Sequence, residues 1–368
     1  MRLAIWFFYL ILFPIQLLPQ GGLQLADYIL LIGIASLIFR IIFQKSNIIF
    51  NNIYLKGAFF FTFYSLVVSF IFFIVYSDYK FLLAPFNYIY CFLCLYFVAD
   101  LTRKELFFKI TYISLIITLV IQLILFFNTG LNYDSGRCMI MFKNPNQLGF
   151  WGLIVLLILV LINNNIFLKR PFLLYGAMLL SSFFIIVSIS QAAIITLILL
   201  LLLLLFRKRP VILISSIVFI SFLTFYYLNT SKFEENPYTN AIFTRFENDL
   251  FNEDDTDNNL EGRSYNRISQ NSVYLIFGAG ESGLNRFGYN TNEIHSTFGS
   301  LLFSYGLLGF LIFCIPLLSI SLKSYSINSV IFLIFLIVTL THNVIRWPLF
   351  WVLPYLMFCM KKADHVRN

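Results

Sequence analysis

Apolar runs with few or no charges, each roughly twenty residues long, recur from Leu3 to Met360, and for most of the chain only short links separate them. So many such runs cannot all be hidden inside a water-soluble core, and in lipid only helices and closed barrels satisfy their own backbone. Of the 368 residues, 60% are hydrophobic and 11% charged, with a mean hydropathy of +0.86. That balance excludes an ordinary globular protein, a disordered chain and a disulfide scaffold. The fold class that remains is an all-α polytopic membrane protein.

At about 20 residues per span, the sequence predicts twelve transmembrane helices: 3–19, 23–43, 57–76, 81–99, 110–128, 147–163, 172–189, 191–206, 211–228, 297–320, 329–345 and 348–360. Only Ser188, Ile189, Ser190 and Gln191 divide the seventh from the eighth. The runs group into amino-terminal helices (1–128), central helices with a loop carrying Arg137 (129–228), one long extracytoplasmic loop (229–296) and carboxy-terminal helices (297–368). The first run follows Arg2 without a small-residue cleavage site, so it reads as a retained span. No internal repeat is evident.

The net charge of +8 would suggest nucleic acid in a soluble protein. Here the basic residues concentrate in short links, as the positive-inside rule requires, and no nucleic-acid partner is expected. A cytoplasmic amino terminus leaves sixteen of the twenty-five Lys and Arg inside, and both termini then face the cytoplasm. The long loop faces outward. Its middle, Glu253 to Asn259, is acidic, and Arg263 to Phe277 is a candidate for a helix lying on the membrane surface. Of the five cysteines only Cys138 falls in a loop, so no disulfide framework is implied. Cys91 and Cys94 read as packing residues within a span.

Ionisable residues within the spans are scarce, with Asp27 and Asp100 near span ends. Pumps and proton-coupled carriers usually place such groups at mid-membrane, so transport is disfavoured. The outer face instead gathers Arg137, Lys143, Arg263, Arg267, Arg286, His295, His342 and Arg346 from four segments. Lys143 and Arg286 taken singly read as contacts to lipid headgroups. Three local patterns single out the others.

The first runs from Gly136-Arg137-Cys138 to Asn144-Pro145-Asn146-Gln147-Leu148-Gly149. Asn146 is expected to cap the following helix, whose first N–H groups suit an anion. The second is Gly262-Arg263-Ser264-Tyr265-Asn266-Arg267, followed by Phe277-Gly278-Ala279-Gly280. On a helix, Arg263 and Arg267 would share one face, and two guanidinium forks side by side suit a pyrophosphate. The third is His295-Ser296 followed by Gly306-Leu307-Leu308-Gly309. At helical spacing His295, Gly299, Leu302, Gly306 and Gly309 form one stripe of mainly small residues, expected to admit a neighbouring helix and hold His295 at its outer mouth. His342, in Thr341-His342-Asn343-Val344-Ile345-Arg346, is a second candidate polar wall, with Arg346 beside it.

On these three patterns the sequence resembles the O-antigen polymerase and O-antigen ligase superfamily, chiefly across 130–350. The family typically carries His-Asn where this chain has His295-Ser296. The resemblance implies a glycosyltransferase architecture of the GT-C kind and metal-independent, inverting glycosyl transfer at the periplasmic face of a bacterial inner membrane, with no cofactor. It implies an undecaprenyl-pyrophosphate-linked glycan as donor and acceptor, membrane lipid around it, and a chain-length regulator as a further partner. Residue by residue, Arg137 and Arg263 match the family's outer-face arginines and His295 its histidine. Arg267, His342, Arg346 and Asn146 are expected to bind substrate. The tail Thr341 to Trp351 is more similar to polymerases than to ligases. The alternatives are a ligase that hands the glycan to lipid A-core, a lipid-linked oligosaccharide flippase, and a non-catalytic assembly partner.

Overall fold

A computed structural model of the chain describes residues 1–18, 22–43, 52–104, 106–128, 133–134, 137–166, 171–206, 264–282, 284–287, 294–321 and 327–367. The expected ninth span, the acidic stretch and Arg263 lie outside the described residues.

The described chain is almost wholly helical. Its α-helices are α1 (Arg2–Leu12), α2 (Leu25–Phe43), α3 (Ile53–Tyr76), α4 (Leu83–Leu101), α5 (Leu106–Asn128), α6 (Pro145–Ile166), α7 (Pro171–Val187), α8 (Gln191–Phe206), α9 (Asn266–Gln270), α10 (Thr297–Ser321), α11 (Ile327–Thr341) and α12 (Pro348–Arg367). Two residue pairs, Tyr133 with Cys138 and Asp134 with Arg137, join β1 (Tyr133–Asp134) to β2 (Arg137–Cys138) as a short antiparallel hairpin. Among the described residues, six helices are long and apolar enough to cross a membrane: Leu25–Phe43, Ile53–Tyr76, Tyr79–Leu101, Leu106–Asn128, Pro145–Asn164 and Thr297–Ile320. The first helix is shorter than expected, ending before Pro14, whose ring nitrogen has no hydrogen to donate.

Contacts divide the chain into two compact units, one comprising 1–36 and 104–254, the other 37–103 and 255–368. In the first, α6 is the central element. It is apolar on all sides, and 89% of its spanning window is buried, as expected of a helix surrounded by protein rather than lipid. It packs on α5, α7 and α8, while α1 lies along α5. Trp6 sets that last contact: its indole nitrogen donates to the Thr111 hydroxyl at 2.9 Å and its ring stacks on Phe107. In lipid an indole N–H left without an acceptor is costly, so this bond helps fix the pairing of α1 and α5.

The second unit is built around α3 and α10. They approach closely because position 57 is glycine: a Cβ there would stand 2.0 Å from Pro316 Cγ. Phe61 fills the middle of the unit, its ring 5.4 Å from that of Tyr88, 5.5 Å from Tyr305 and 5.2 Å from Phe313. The Tyr54 hydroxyl donates to the Trp351 carbonyl at 3.1 Å, tying α12 to α3. The carboxylate of Asp100 is buried on α4 and matched by the guanidinium of Arg40.

Candidate functional site

The glycine stripe expected on the tenth span is not a continuous helical stripe. At Gly306 the backbone turns to φ 65°, ψ −174°, and α10 is two half-helices meeting at that residue. A helix would return the Leu307 and Leu308 amides to the Phe303 and Ser304 carbonyls. Instead Leu307 donates to the Leu275 carbonyl at 2.7 Å and Leu308 to that of Ile276 at 3.2 Å. The released carbonyls of Phe303 and Ser304 accept from Ala279 at 2.9 Å and Gly280 at 2.8 Å. The segment from Leu275 to Gly280 thus occupies the break and replaces its missing hydrogen bonds. Gly306 admits a loop rather than a helix, while Gly309 faces Tyr64 of α3. Gly278, with φ 92°, lies so near α10 that a Cβ would be 2.3 Å from the Ser304 carbonyl oxygen. One at Gly306 would be 2.3 Å from that of Ile276.

The start of α10 is fastened to the end of α11. The Thr297 amide and hydroxyl both donate to the His342 carbonyl, at 3.0 and 2.7 Å, and the same hydroxyl accepts from the Val344 amide at 3.1 Å. His295 and His342 are therefore on adjoining backbone, and the His295 side chain is exposed. Tyr265 completes the corner by donating to the Leu340 carbonyl at 3.2 Å. A small apolar cluster of Ile294, Ala279 and Phe303, with Tyr265, Ile268, Tyr274 and Phe287 around it, brings the flanks of Arg267 against the residue preceding His295. Gly299 makes room for this, since a Cβ would meet Ile294 Cγ2 at 2.7 Å and Tyr265 Cε1 at 2.8 Å. Arg267 itself is buried, at 4% exposure.

The expected shared face of Arg263 and Arg267 involves a position outside the described residues. Within them, Ser264 takes φ 62° and α9 starts only at Asn266. Over residues 264–277 the longer surface helix that was expected is replaced. The five residues of α9 are followed by a 3₁₀ turn, Ser272–Tyr274, and then by the extended glycine segment.

Arg346 is held by Glu281, a residue that sequence reasoning did not single out. Nε and Nη2 of Arg346 donate to Glu281 Oε1 at 3.0 and 2.6 Å. Its other oxygen accepts from Tyr305 at 3.0 Å and from the Tyr88 hydroxyl. Glu281 follows Gly280 directly, so insertion of the loop into the helix break carries this carboxylate in among α4, α10 and the link after α11. Its only mark in the sequence is an acidic residue directly after Gly278-Ala279-Gly280.

Arg286, expected at lipid headgroups, is instead enclosed by aromatic rings. Its guanidinium carbon lies 4.7 Å from the ring centre of Phe72, 4.9 Å from Tyr76, 5.1 Å from Phe81, 5.7 Å from Tyr274 and 4.5 Å from Phe287. It also donates to the Ala279 carbonyl. Burial lowers its pKa from the ordinary arginine value. The cation–π contacts clamp the loop to α3.

The remaining predicted residues, Arg137 and Asn146, belong to the first unit. Arg137 Nε donates to the Ser188 carbonyl at 3.2 Å, and Nη2 donates to the Asn146 side-chain oxygen. Asn146 is therefore not the helix cap. Asn144 performs that role, its side chain accepting from the Asn146 amide at 2.8 Å. Ser188 sits at the elbow between α7 and α8, where Ile189 has φ 48°. Gly149 lets the elbow approach, since a Cβ there would be 2.5 Å from Ser188 Oγ. Cys138 is buried beneath this loop, and burial pushes its thiol up to about 11.

The site residues thus fall into two groups: Arg137 with Asn146 in one unit, and Arg267, His295, His342 and Arg346 in the other. Among the described residues no cluster of three His, Cys, Asp or Glu side chains is placed to hold a metal ion. No family model matches the chain, and no curated protein matches it in sequence.

Proposed function

We propose that this protein is a membrane glycosyltransferase that polymerises undecaprenyl-pyrophosphate-linked repeat units into a surface polysaccharide, O-antigen or capsule, at the outer face of a bacterial inner membrane. A sugar hydroxyl of the acceptor attacks the anomeric carbon of the donor glycan. The new glycosidic C–O bond forms as the bond to the pyrophosphate oxygen breaks. The hydroxyl proton passes to His295, and undecaprenyl pyrophosphate departs with the bond's electron pair. Guanidinium groups stabilise that departing charge without a metal, with Arg137 and Arg263 in the leading roles and Arg267 assisting. His295 suits a general base because its side chain is exposed and a ring nitrogen can accept the proton of a sugar hydroxyl.

One observation carries the reading. The Gly262–Arg267 motif, the glycine segment that follows it and the His295–Gly309 motif, which support the resemblance when read along the chain, are interlocked in space through residues 264–280 and 294–308. Segments sharing only hydropathy with one another have no reason to exchange backbone hydrogen bonds at paired glycines. The partly buried Glu281–Arg346 pair is a charged feature that a carrier could use, but both carboxylate oxygens are engaged by three separate residues. Such a group suits a fixed pin better than a moving proton site.

The test uses the purified full chain in liposomes with an undecaprenyl-pyrophosphate-linked repeat unit. A ladder of lengthening lipid-linked products supports polymerisation; unchanged substrate refutes it. In a Gram-negative host, deletion separates polymerase from ligase. Loss of a polymerase leaves lipopolysaccharide capped by one repeat, whereas loss of a ligase leaves bare core and accumulated lipid-linked polymer.

A further inference from the structure

The loop inserted into α10 presents a row of large apolar side chains outward. Val273 is 89% exposed, Leu275 42%, Ile276 56% and Phe277 65%. In water this would be an unfavourable surface for a loop. Its carbonyls, however, are largely matched by protein donors. The carbonyls of Tyr274, Leu275, Ile276 and Phe277 all accept hydrogen bonds, from the amides of Gly278, Leu307 and Leu308 and from the Tyr64 hydroxyl, the last at 3.0 Å. Irregular backbone survives at membrane depth only when its polar groups are satisfied by protein in this way.

The surroundings continue the same character. Leu307, Leu308 and Leu311 are exposed on α10, as are Phe60, Phe63 and Val67 on α3. Between those helices runs an apolar groove of about 670 Å³ that includes Phe60, Phe63, Tyr64, Val67, Ile315 and Pro316. Tyr64 lines this groove and also holds the Phe277 carbonyl, so the loop's apolar row is continuous with the outer flanks of two helices long enough to span a bilayer. The depth agrees. Gly306 is nine residues past Thr297, so the first half-helix of α10 is about 14 Å long. That length is less than a hydrocarbon core of about 30 Å, so the break falls within membrane thickness of the start of α10.

We propose that Val273–Phe277 is a re-entrant segment whose side chains are solvated by lipid acyl chains, so that part of the long loop is immersed in the bilayer rather than lying above it. Its occupant is lipid, not a partner protein and not the substrate. The inference is independent of the proposed reaction.

The test places nitroxide spin labels on the full-length protein in liposomes, with Cys359→Ser removing the half-buried native thiol, the other four being buried. Labels go on Val273→Cys and Phe277→Cys. Phe63→Cys on α3 serves as the lipid reference and Lys143→Cys in a polar loop as the aqueous one. All four side chains are exposed, so the labels should not disturb packing. The expected result is that labels at 273 and 277 follow Phe63, with relaxation by oxygen exceeding relaxation by a water-soluble nickel chelate several-fold. Nickel accessibility matching that of Lys143 at both positions would overturn the proposal, as would low accessibility to both reagents, which indicates cover by protein.

Discussion

The Leu307 amide donates to the Leu275 carbonyl at 2.7 Å, where an unbroken helix would have sent it to Phe303. Through this substitution and its three companions, a loop segment becomes part of a spanning helix, and the position of His295 at the start of α10 is coupled to that of Arg267 on the loop. Gly278 and Gly306 both have positive φ, and both face backbone rather than flexible side chains. The junction therefore cannot relax around an added methyl group.

Gly306→Ala and Gly278→Ala should each lower the thermal stability of the detergent-solubilised protein, by at least about 1–3 kcal/mol from backbone strain and overpacking. Gly176→Ala is the control: it sits in α7 with nothing within 4 Å of a new Cβ, and should be neutral or stabilising by up to about 1 kcal/mol. Fluorescence-detected melting of the three variants checks this ordering.

Glu281→Ala should be more damaging than Glu281→Gln. Alanine strands the hydroxyls of Tyr88 and Tyr305, both buried, together with part of Arg346. The expected cost is about 2–4 kcal/mol, after discounting the partly exposed arginine. Glutamine retains one acceptor oxygen and the shape of the side chain. Chemical or thermal unfolding of both variants provides the comparison.

Much of this architecture is legible in the sequence, and the limits have physical causes. Length and hydropathy identify spanning helices because lipid leaves the backbone few options. Hydropathy cannot detect the break at Gly306, since the residues around it, Tyr305, Leu307 and Leu308, are ordinary occupants of a spanning helix. The residues that replace its hydrogen bonds lie in another segment. The three motifs were visible as clusters of Gly, Arg and His, but the partners that fix them were not. Ser188 holds Arg137 from the elbow after α7, and Glu281 reaches Arg346 only once the loop is inserted. Asn144 and Asn146 are equally good caps by type, and only the geometry of the α6 start selects Asn144. Arg286 illustrates the same limit, since its five rings come from α3, the turn after it and the loop.

Arg137→Lys should weaken the joint between the α6 start and the α7–α8 elbow. Lysine keeps the charge but has no fork to reach the Ser188 carbonyl and the Asn146 oxygen together. A stability loss of about 1 kcal/mol is expected, with a larger fall in polymer yield because the proposed pyrophosphate grip is also lost. Melting and product-ladder assays on the same preparation separate the two effects.

Cys138 should resist alkylation in the native protein. Burial raises its pKa to about 11, so below that pH the thiol stays protonated. At pH 7.5 roughly one molecule in a few thousand carries the thiolate. Mass mapping after maleimide treatment should find Cys138 unmodified in detergent micelles and modified once the chain is unfolded.

The most direct test of the functional account is His295→Ala in the reconstituted polymerisation assay. The side chain is exposed, and the start of α10 is held by Thr297 and Ser296 rather than by the imidazole, so the variant should fold and melt like the parent. The account predicts that the parent extends the lipid-linked repeat into a ladder and that His295→Ala leaves it unextended. A full ladder from a well-folded His295→Ala protein would contradict the general-base assignment, and absence of product from the parent would contradict the glycosyltransferase reading itself.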